Sequence, residues 1–240
     1  MKKKFLIIVL IFFIGFILTG CGKEQNNNKN EDALKFKEEY EKMNGKENAS
    51  GLKYRTVNIS EDNPFVYSSA KEVIGLIENK ESFYVYFGDT LCPWCRSVIE
   101  KAIAVSKDYN VKKIYYVKIW DDEHNEILRD VYELNDNNEA VIKSEGIPEY
   151  KELLKYFDNV LSDYNLTDKS GNKISTNEKR IYAPNFILIK NGVADTLVEG
   201  LSDKQKDSRE ELTEEILKDE EEIFNEFFEK GSSCSVGEKC

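Results

Sequence analysis

The chain has little of what a metal centre or a nucleic-acid interface requires. It contains one histidine, His124, in 240 residues, and His124 lies in a charged segment without metal-like partners. This argues against a bound metal and favours a solvated helix residue. Acidic residues outnumber basic ones by 45 to 34, and the net charge of −11 argues against nucleic acid as a partner. We therefore expect neither a metal nor another cofactor.

The N-terminus has no apolar run that would cross a bilayer comfortably, which takes ~20 residues. Its apolar run extends from Phe5 to Leu18 after three lysines, which is the pattern of a secretory signal. The run closes with Leu-Thr-Gly-Cys21, which resembles the lipobox of bacterial lipoproteins. The resemblance implies removal of a signal peptide over residues 1–20, lipidation at Cys21, and a protein anchored on the extracytoplasmic side of the cell membrane. The alternative is a plain cleavable signal or a short membrane anchor.

Cysteine usage fits export. Without Cys21, the five cysteines leave an even set of four, namely Cys92, Cys95, Cys234 and Cys240. An even count in an exported protein suits disulfide chemistry. For Cys234 and Cys240, in a small-residue tail over 231–240, three states stay open: a small terminal disulfide loop, a second redox pair that exchanges electrons with Cys92 and Cys95, or a metal-binding or unpaired tail.

Apolar periodicity predicts one α/β domain with parallel strand pairing. Residues 21–50, rich in Lys, Asn and Glu, are interpreted as a polar tether with one helical stretch near 34–43, and the domain covers 51–230. The predicted strands cover 54–59, 83–87, 111–120, 185–190 and 193–198. One predicted helix begins after Ser68 or Ser69 as N-cap. The others lie over 95–106, 123–134 and 150–161 and within 203–230. A polar loop is predicted over 167–179.

The pair Cys92 and Cys95 is open to four interpretations: a metal knuckle, a structural disulfide, a redox dithiol, or chance. A disulfide across so short a loop is strained and adds little stability, which favours a labile, reactive bond. The strand-to-helix join places Cys92 at a helix N-terminus, where N–H groups and the helix dipole stabilise an anion. Pro93 suits the first helical turn. We expect Cys92 to be the nucleophile and Cys95, one turn inward, to attack a mixed disulfide.

The order of motifs resembles the thioredoxin-like superfamily. The aromatic run Phe83–Phe87 is followed by Cys92-Pro-Trp-Cys95, and much later by Ala183-Pro184-Asn185 opening a strand that turns at Asn191-Gly192. The resemblance implies a thioredoxin-like fold and thiol–disulfide oxidoreductase activity. It further implies a cis Pro184 that faces the dithiol, an Ala183 backbone that pairs with a bound polypeptide, and a Trp94 that shapes access to Cys92.

Within that superfamily the chain is similar to bacteriocin transport accessory proteins, and to glutaredoxins in having proline and then an aromatic residue between the cysteines. The implied partners are protein or peptide thiol and disulfide substrates and a membrane redox partner. Two departures stand out: Tyr86 occupies the place of a buried aspartate that assists proton transfer, and a helical insertion over about 121–182 separates the βαβ half from the cis-proline ββα half. For Arg96 a solvated side chain is favoured over one near the thiolate. The alternative function is a non-catalytic binding lipoprotein, for example in bacteriocin export or immunity.

Overall fold

A five-stranded mixed sheet forms the centre of the molecule. The computed structural model describes residues 24–232. Its helices are α1 (Glu24–Glu41), α2 (Ala70–Glu78), α3 (Pro93–Asp108), α4 (Pro148–Tyr156) and α5 (Glu214–Ser232). Its strands are β1 (Phe65–Tyr67), β2 (Phe83–Gly88), β3 (Ile114–Lys118), β4 (Val131–Leu134), β5 (Ala140–Ser144), β6 (Ser162–Thr167), β7 (Lys173–Arg180), β8 (Asn185–Lys190) and β9 (Val193–Val198). The sheet order is β1-β3-β2-β8-β9, so the predicted α/β class is confirmed.

The strand directions bring the carboxyl ends of β2 and β3 to the same edge of the sheet as the start of β8. The strands β1, β2 and β3 run parallel, whereas β8 is antiparallel to both β2 and β9. Carboxyl ends of parallel strands meet at one edge of a sheet. The register pairs Phe87 near the end of β2 with Asn185 at the start of β8, so the loop after β2 and the loop before β8 lie at the same edge.

Two apolar layers cover the sheet, and β2 contributes to both. Tyr84 and Tyr86 point into the layer that α1, α3 and α5 complete, whereas Phe83, Val85 and Phe87 point into the layer of α2 and α4. All six residues of β2 are buried, as predicted from its continuous apolar and aromatic sequence. The helix α3, which begins just after β2, packs on the face of the sheet that carries Tyr84 and Tyr86.

Two local signals in the sequence are confirmed. Ser69 is the N-cap of α2 and forms a capping box with Glu72. Asn191 and Gly192 join β8 to β9 with positive φ angles of 51° and 78°, as a two-residue type I′ turn requires. At Gly192 a side chain would also collide with the carbonyl of Ile77.

The prediction of a helical insertion over 121–182 is wrong. The segment contains one helix, α4, and two antiparallel hairpins, β4–β5 and β6–β7, so the predicted helix over 123–134 and most of the predicted loop over 167–179 are absent. Turn residues explain this: the carboxylate of Asp121 accepts hydrogen bonds from the N–H groups of Glu123 and Asn125. Asp168 does the same for Ser170 and Asn172. Such Asx turns compete with helix formation.

The helical stretch predicted near 34–43 is confirmed, since α1 covers most of it, but this helix packs against the sheet instead of serving as a tether. The side chains of Phe36 and Tyr40 in α1 are completely buried against the sheet, so ordered packing begins well before residue 51. The predicted strand over 54–59 is wrong. The backbone of Val57 exchanges two hydrogen bonds with the side chain of Asn44, and Ile59 N–H donates to Glu41. Because side chains satisfy these backbone groups, the segment is extended without joining a sheet. Among residues 24–232, no helix is long and apolar enough to cross a membrane.

Candidate active site

The two cysteines lie at the N-terminus of α3. Cys92 is the N-cap, and its Sγ accepts a hydrogen bond from the Cys95 N–H over 3.3 Å, while Pro93 opens the helix. The Arg96 N–H donates to the Cys92 carbonyl over 3.1 Å. The sulfur of Cys92 therefore lies in the anion-stabilising position that the sequence predicts. Its side chain is 3 % exposed and that of Cys95 is 0 % exposed, so the pair is recessed, with Cys92 nearer the surface.

A buried aspartate shapes the turn that precedes Cys92. The Asp89 carboxylate accepts hydrogen bonds from the N–H of Leu91 over 2.9 Å and of Trp120 over 3.4 Å, and the Asp89 carbonyl accepts from the Cys92 N–H. Burial raises the pKa of Asp89 to about 6, although the hydrogen bond from Leu91 and the charge of Lys118 oppose that shift. Asp89 thus joins the loop after β2 to the loop after β3.

The loop before β8 lies directly against Cys92. The Ala183–Pro184 peptide is cis, and the Cys92 thiol donates to the Ala183 carbonyl over 3.4 Å although 91 residues separate them. Asn185 braces this loop, since its side chain accepts from the Tyr182 N–H over 2.7 Å and donates to the Pro184 carbonyl over 2.9 Å. The structure therefore brings together Cys92, Cys95, Ala183 and Pro184. Trp94 is half-buried and packs against the apolar layer that contains both cysteines.

The surroundings of Cys95 are apolar except for sulfur and hydroxyl groups. Burial raises the pKa of Cys95 well above its usual value, and the adjacent Cys92 sulfur raises it further, whereas a hydrogen bond with the Tyr86 hydroxyl opposes the shift. Cys95 is therefore a protonated thiol at neutral pH. Tyr86 forms a further hydrogen bond of 2.9 Å with the hydroxyl of Tyr40 in α1.

Arg96 is not solvated, contrary to the sequence interpretation. Its side chain is 0 % exposed, and its guanidinium donates to the carbonyls of Arg55, Tyr40 and Thr90 and to the side-chain oxygen of Asn44. Burial lowers the pKa of Arg96 from its usual value, with the neighbouring tyrosines opposing. Arg96 thus fastens α1 and the segment after it to the dithiol helix.

Sequence reasoning missed two residues of the site, Tyr40 and Asp89, and assigned the wrong environment to a third, Arg96. Tyr40 lies four residues after Phe36, a spacing that marks a buried helix face within an otherwise polar segment. Asp89 follows the buried strand directly, where a carboxylate caps a turn. No local pattern identifies Arg96 as buried, because its partners come from distant parts of the chain.

The sequence also singles out Cys21, His124, Cys234 and Cys240. Cys21, Cys234 and Cys240 lie outside the described residues. His124 is exposed, but it belongs to a turn with a φ of 68° rather than to a helix, and its ring stacks on Trp120 with centroids 4.7 Å apart. Over residues 24–232, no group of three or more His, Cys, Asp or Glu side chains is placed to hold a metal ion.

In comparisons with known proteins, no family model matches the chain, and no curated protein matches it at significant similarity.

Proposed function

We propose that the chain is a membrane-anchored, extracytoplasmic thiol–disulfide oxidoreductase with a thioredoxin-like fold, and that it acts on protein or peptide disulfides. One observation carries the proposal: the Cys92 thiol, at the N-terminus of α3, contacts the Ala183 carbonyl beside the cis peptide at Pro184. A dithiol at a helix start next to an accessible backbone edge can both exchange disulfides and hold an extended substrate.

The sheet topology supports the thioredoxin-like assignment. Three parallel strands are followed, after the insertion, by two antiparallel ones, with the dithiol between β2 and α3 and the cis-proline loop before β8. The closing helix α5 packs beside α3 on one face, and α2 covers the other. The hairpins β4–β5 and β6–β7 form separate two-stranded sheets and leave the strand order of the central sheet unchanged.

The geometry supports a separate role for each sulfur in the proposed exchange. Cys92 attacks one sulfur of the substrate disulfide, so a Cys92–substrate bond forms and the second substrate sulfur leaves as a thiol. A substrate strand that lies along Ala183 displaces the contact between Cys92 and the Ala183 carbonyl. Cys95 then attacks Cys92, a Cys92–Cys95 disulfide forms, and the first substrate sulfur leaves. The dithiol loses two electrons and the substrate disulfide gains them; the same steps in reverse oxidise a substrate dithiol.

The location rests on the sequence. The signal-like run before Cys21 and the lipobox-like Leu-Thr-Gly-Cys21 support export and a lipid anchor. Electrons must come from or go to a membrane redox partner, since the site itself holds only the two-electron capacity of Cys92 and Cys95.

The test is an assay of residues 22–240 for insulin reduction with dithiothreitol and for oxidative refolding of a reduced substrate. We expect Cys92→Ser to abolish both activities, because Cys95 is fully buried and cannot replace the nucleophile. The matched control is the double variant Cys234→Ser with Cys240→Ser, which keeps the cysteines of the site and retains activity. Absence of both activities in the wild type, or their persistence in Cys92→Ser, would contradict the proposal.

A further inference from the structure

A chain of buried hydroxyl groups lies behind Cys95. The Tyr86 hydroxyl forms a hydrogen bond of 2.9 Å with the Tyr40 hydroxyl. Tyr86 and Cys95 belong to the same buried cluster, and the Tyr86 hydroxyl acts on Cys95 as a hydrogen-bonding group that lowers the pKa of its thiol. Tyr40 in turn donates to the Asp89 carbonyl over 3.4 Å. Cys95, Tyr86 and Tyr40 are each 0 % exposed, so water does not substitute for any of these contacts.

The surrounding chain holds the Tyr86 hydroxyl in place. The Tyr86 ring stacks on Phe186 with centroids 4.3 Å apart and on Tyr116 with centroids 5.4 Å apart. Gly88, two residues along the same strand face, leaves the space that the hydroxyl fills, because a side chain at Gly88 would overlap the ring and hydroxyl of Tyr86.

The chain can be hydrogen bonded in two directions. With Cys95 as a thiol, its S–H donates to Tyr86, Tyr86 donates to Tyr40, and Tyr40 donates to the Asp89 carbonyl. When Cys95 is a thiolate, rotation of two hydroxyl hydrogens reverses the order, so that Tyr40 donates to Tyr86 and Tyr86 donates to the sulfur. Heavy atoms need not move, and a donor to a buried anion is worth more than one to a neutral group.

We propose that Tyr86, supported by Tyr40, stabilises the thiolate of Cys95 while Cys95 attacks the mixed disulfide at Cys92. The inference rests on the proposed exchange function and deepens it. The Cys95–Cys92 bond forms as the Cys92–substrate bond breaks, and the leaving substrate sulfur takes up, through solvent, the proton that Cys95 released. Tyr86 keeps its own proton throughout and acts as a donor.

The titratable neighbours of these groups are few. Cys95, Tyr40 of α1 and Tyr116 of β3 influence the Tyr86 hydroxyl, and Cys92 and the backbone of Asp89 influence Cys95. The strand β8 and helix α5 contribute the rings of Phe186 and Phe224 to the same layer. Burial raises the pKa of Tyr86 well above its usual value, in keeping with a hydroxyl that remains protonated.

The experiment separates attack from resolution. Reduced protein with Cys234→Ser and Cys240→Ser is mixed with 5,5′-dithiobis(2-nitrobenzoate), which releases one coloured thiolate when Cys92 attacks and a second when Cys95 resolves. In Tyr86→Phe we expect the first phase within about twofold of the wild type and the second slower by roughly tenfold or more, the size of a lost hydrogen bond to a charged group. The pH midpoint of the second phase should rise.

Tyr116→Phe is the matched control, because the buried Tyr116 hydroxyl has no hydrogen-bond partner among residues 24–232 and its ring belongs to the same stack. We expect both of its phases to match the wild type. Tyr40→Phe should slow the second phase by about two- to tenfold, as for a neutral hydrogen bond, and replaces Tyr86→Phe if that variant does not fold. A second phase at the wild-type rate and pH midpoint in Tyr86→Phe, or equal slowing in Tyr116→Phe, overturns the inference. Absence of a first phase in the wild type instead overturns the proposed function.

Discussion

Glu220 is a buried acid whose environment disfavours its charge. It lies on α5 at 0 % exposure, and within the described part of the chain neither carboxylate oxygen has a hydrogen-bond partner. Burial raises the pKa of Glu220 to about 7, and the charges of Lys101 and Arg55 only partly offset that effect. An acid whose pKa is higher in the folded state than in the unfolded state lowers stability as pH rises between the two values. For Glu220 that interval runs from its ordinary pKa of 4.5 to about 7.

Replacing Glu220 with glutamine should therefore stabilise the protein selectively at high pH. We expect the free energy of unfolding of Glu220→Gln to exceed that of the wild type by at most about 3 kcal/mol at pH 8 and to equal it near pH 4.5, since one pKa unit corresponds to about 1.4 kcal/mol. Urea unfolding at both pH values measures this. The control is Glu221→Gln, at the neighbouring position of α5, which removes an exposed ion pair with Lys101 of α3. Its free energy of unfolding should show no comparable gain at high pH. A difference independent of pH would contradict the account.

The helix α1 is held beside the start of α3 by the hydrogen bonds of Arg96 as well as by apolar packing. Arg96 connects the carboxyl end of α1, the segment around Arg55 and the start of α3, and its partners are three backbone carbonyls and one amide. A buried cation is tolerated when its donors are satisfied, and its removal leaves buried acceptors unpaired. The position of α1, and hence of the Tyr40 hydroxyl, depends on this side chain.

Arg96→Met should destabilise the protein by about 3–5 kcal/mol, because it strands several buried acceptors at once. Urea unfolding gives the free energy, and amide hydrogen exchange should show faster opening of α1 than of β2. Lys107→Met is the matched control, because Lys107 lies on the exposed face of the same helix and its side chain donates a hydrogen bond to the Ser60 hydroxyl, which is also exposed. The loss of stability in this variant should be small. A loss below about 1 kcal/mol in Arg96→Met would show that packing alone holds α1.

Elements differ in how well the sequence predicts them, for physical reasons. The strand β2 and the β8–β9 hairpin are predictable because both faces of β2 are buried and Asn191-Gly192 favours one turn type. The Cys92 and Cys95 placement follows from the strand-to-helix join. The hairpins of the insertion are not predictable from apolar periodicity. Most of β5 is exposed, and β5 is held to β4 by backbone hydrogen bonds, which leave no pattern in the side chains. Arg96 is equally hidden, because only the folded chain supplies its acceptors.

The helix α1, whose polar composition resembles that of a tether, is part of the folded core. Phe36 stacks on Phe65 with ring centroids 4.2 Å apart, and Tyr40 bonds to Tyr86, so α1 covers the layer that also contains Cys92 and Cys95. A polar composition does not preclude this, because one residue per helical turn is enough to form a buried face.

Deleting residues 22–50 should consequently unfold or strongly destabilise the domain, whereas deleting residues 22–30 should be tolerated. The larger deletion removes Phe36 and Tyr40, and the loss of each buried aromatic side chain costs about 3–5 kcal/mol. Thermal unfolding monitored by circular dichroism compares the two deletions directly. Equal melting temperatures for both would contradict the observed packing of α1 and would restore the tether interpretation.

The reduction potential of the Cys92–Cys95 pair shows whether these cysteines can exchange disulfides with substrates. The measurement uses residues 22–240 with Cys234→Ser and Cys240→Ser, equilibrated in glutathione and dithiothreitol buffers, with the Cys92–Cys95 disulfide quantified by alkylation and mass spectrometry. The account predicts a reversible disulfide with a potential between about −270 and −120 mV, the range of exchange-active dithiols, and its position there distinguishes a reductase from an oxidase. A pair that stays reduced in the most oxidising buffer, or that oxidises irreversibly, would contradict the account.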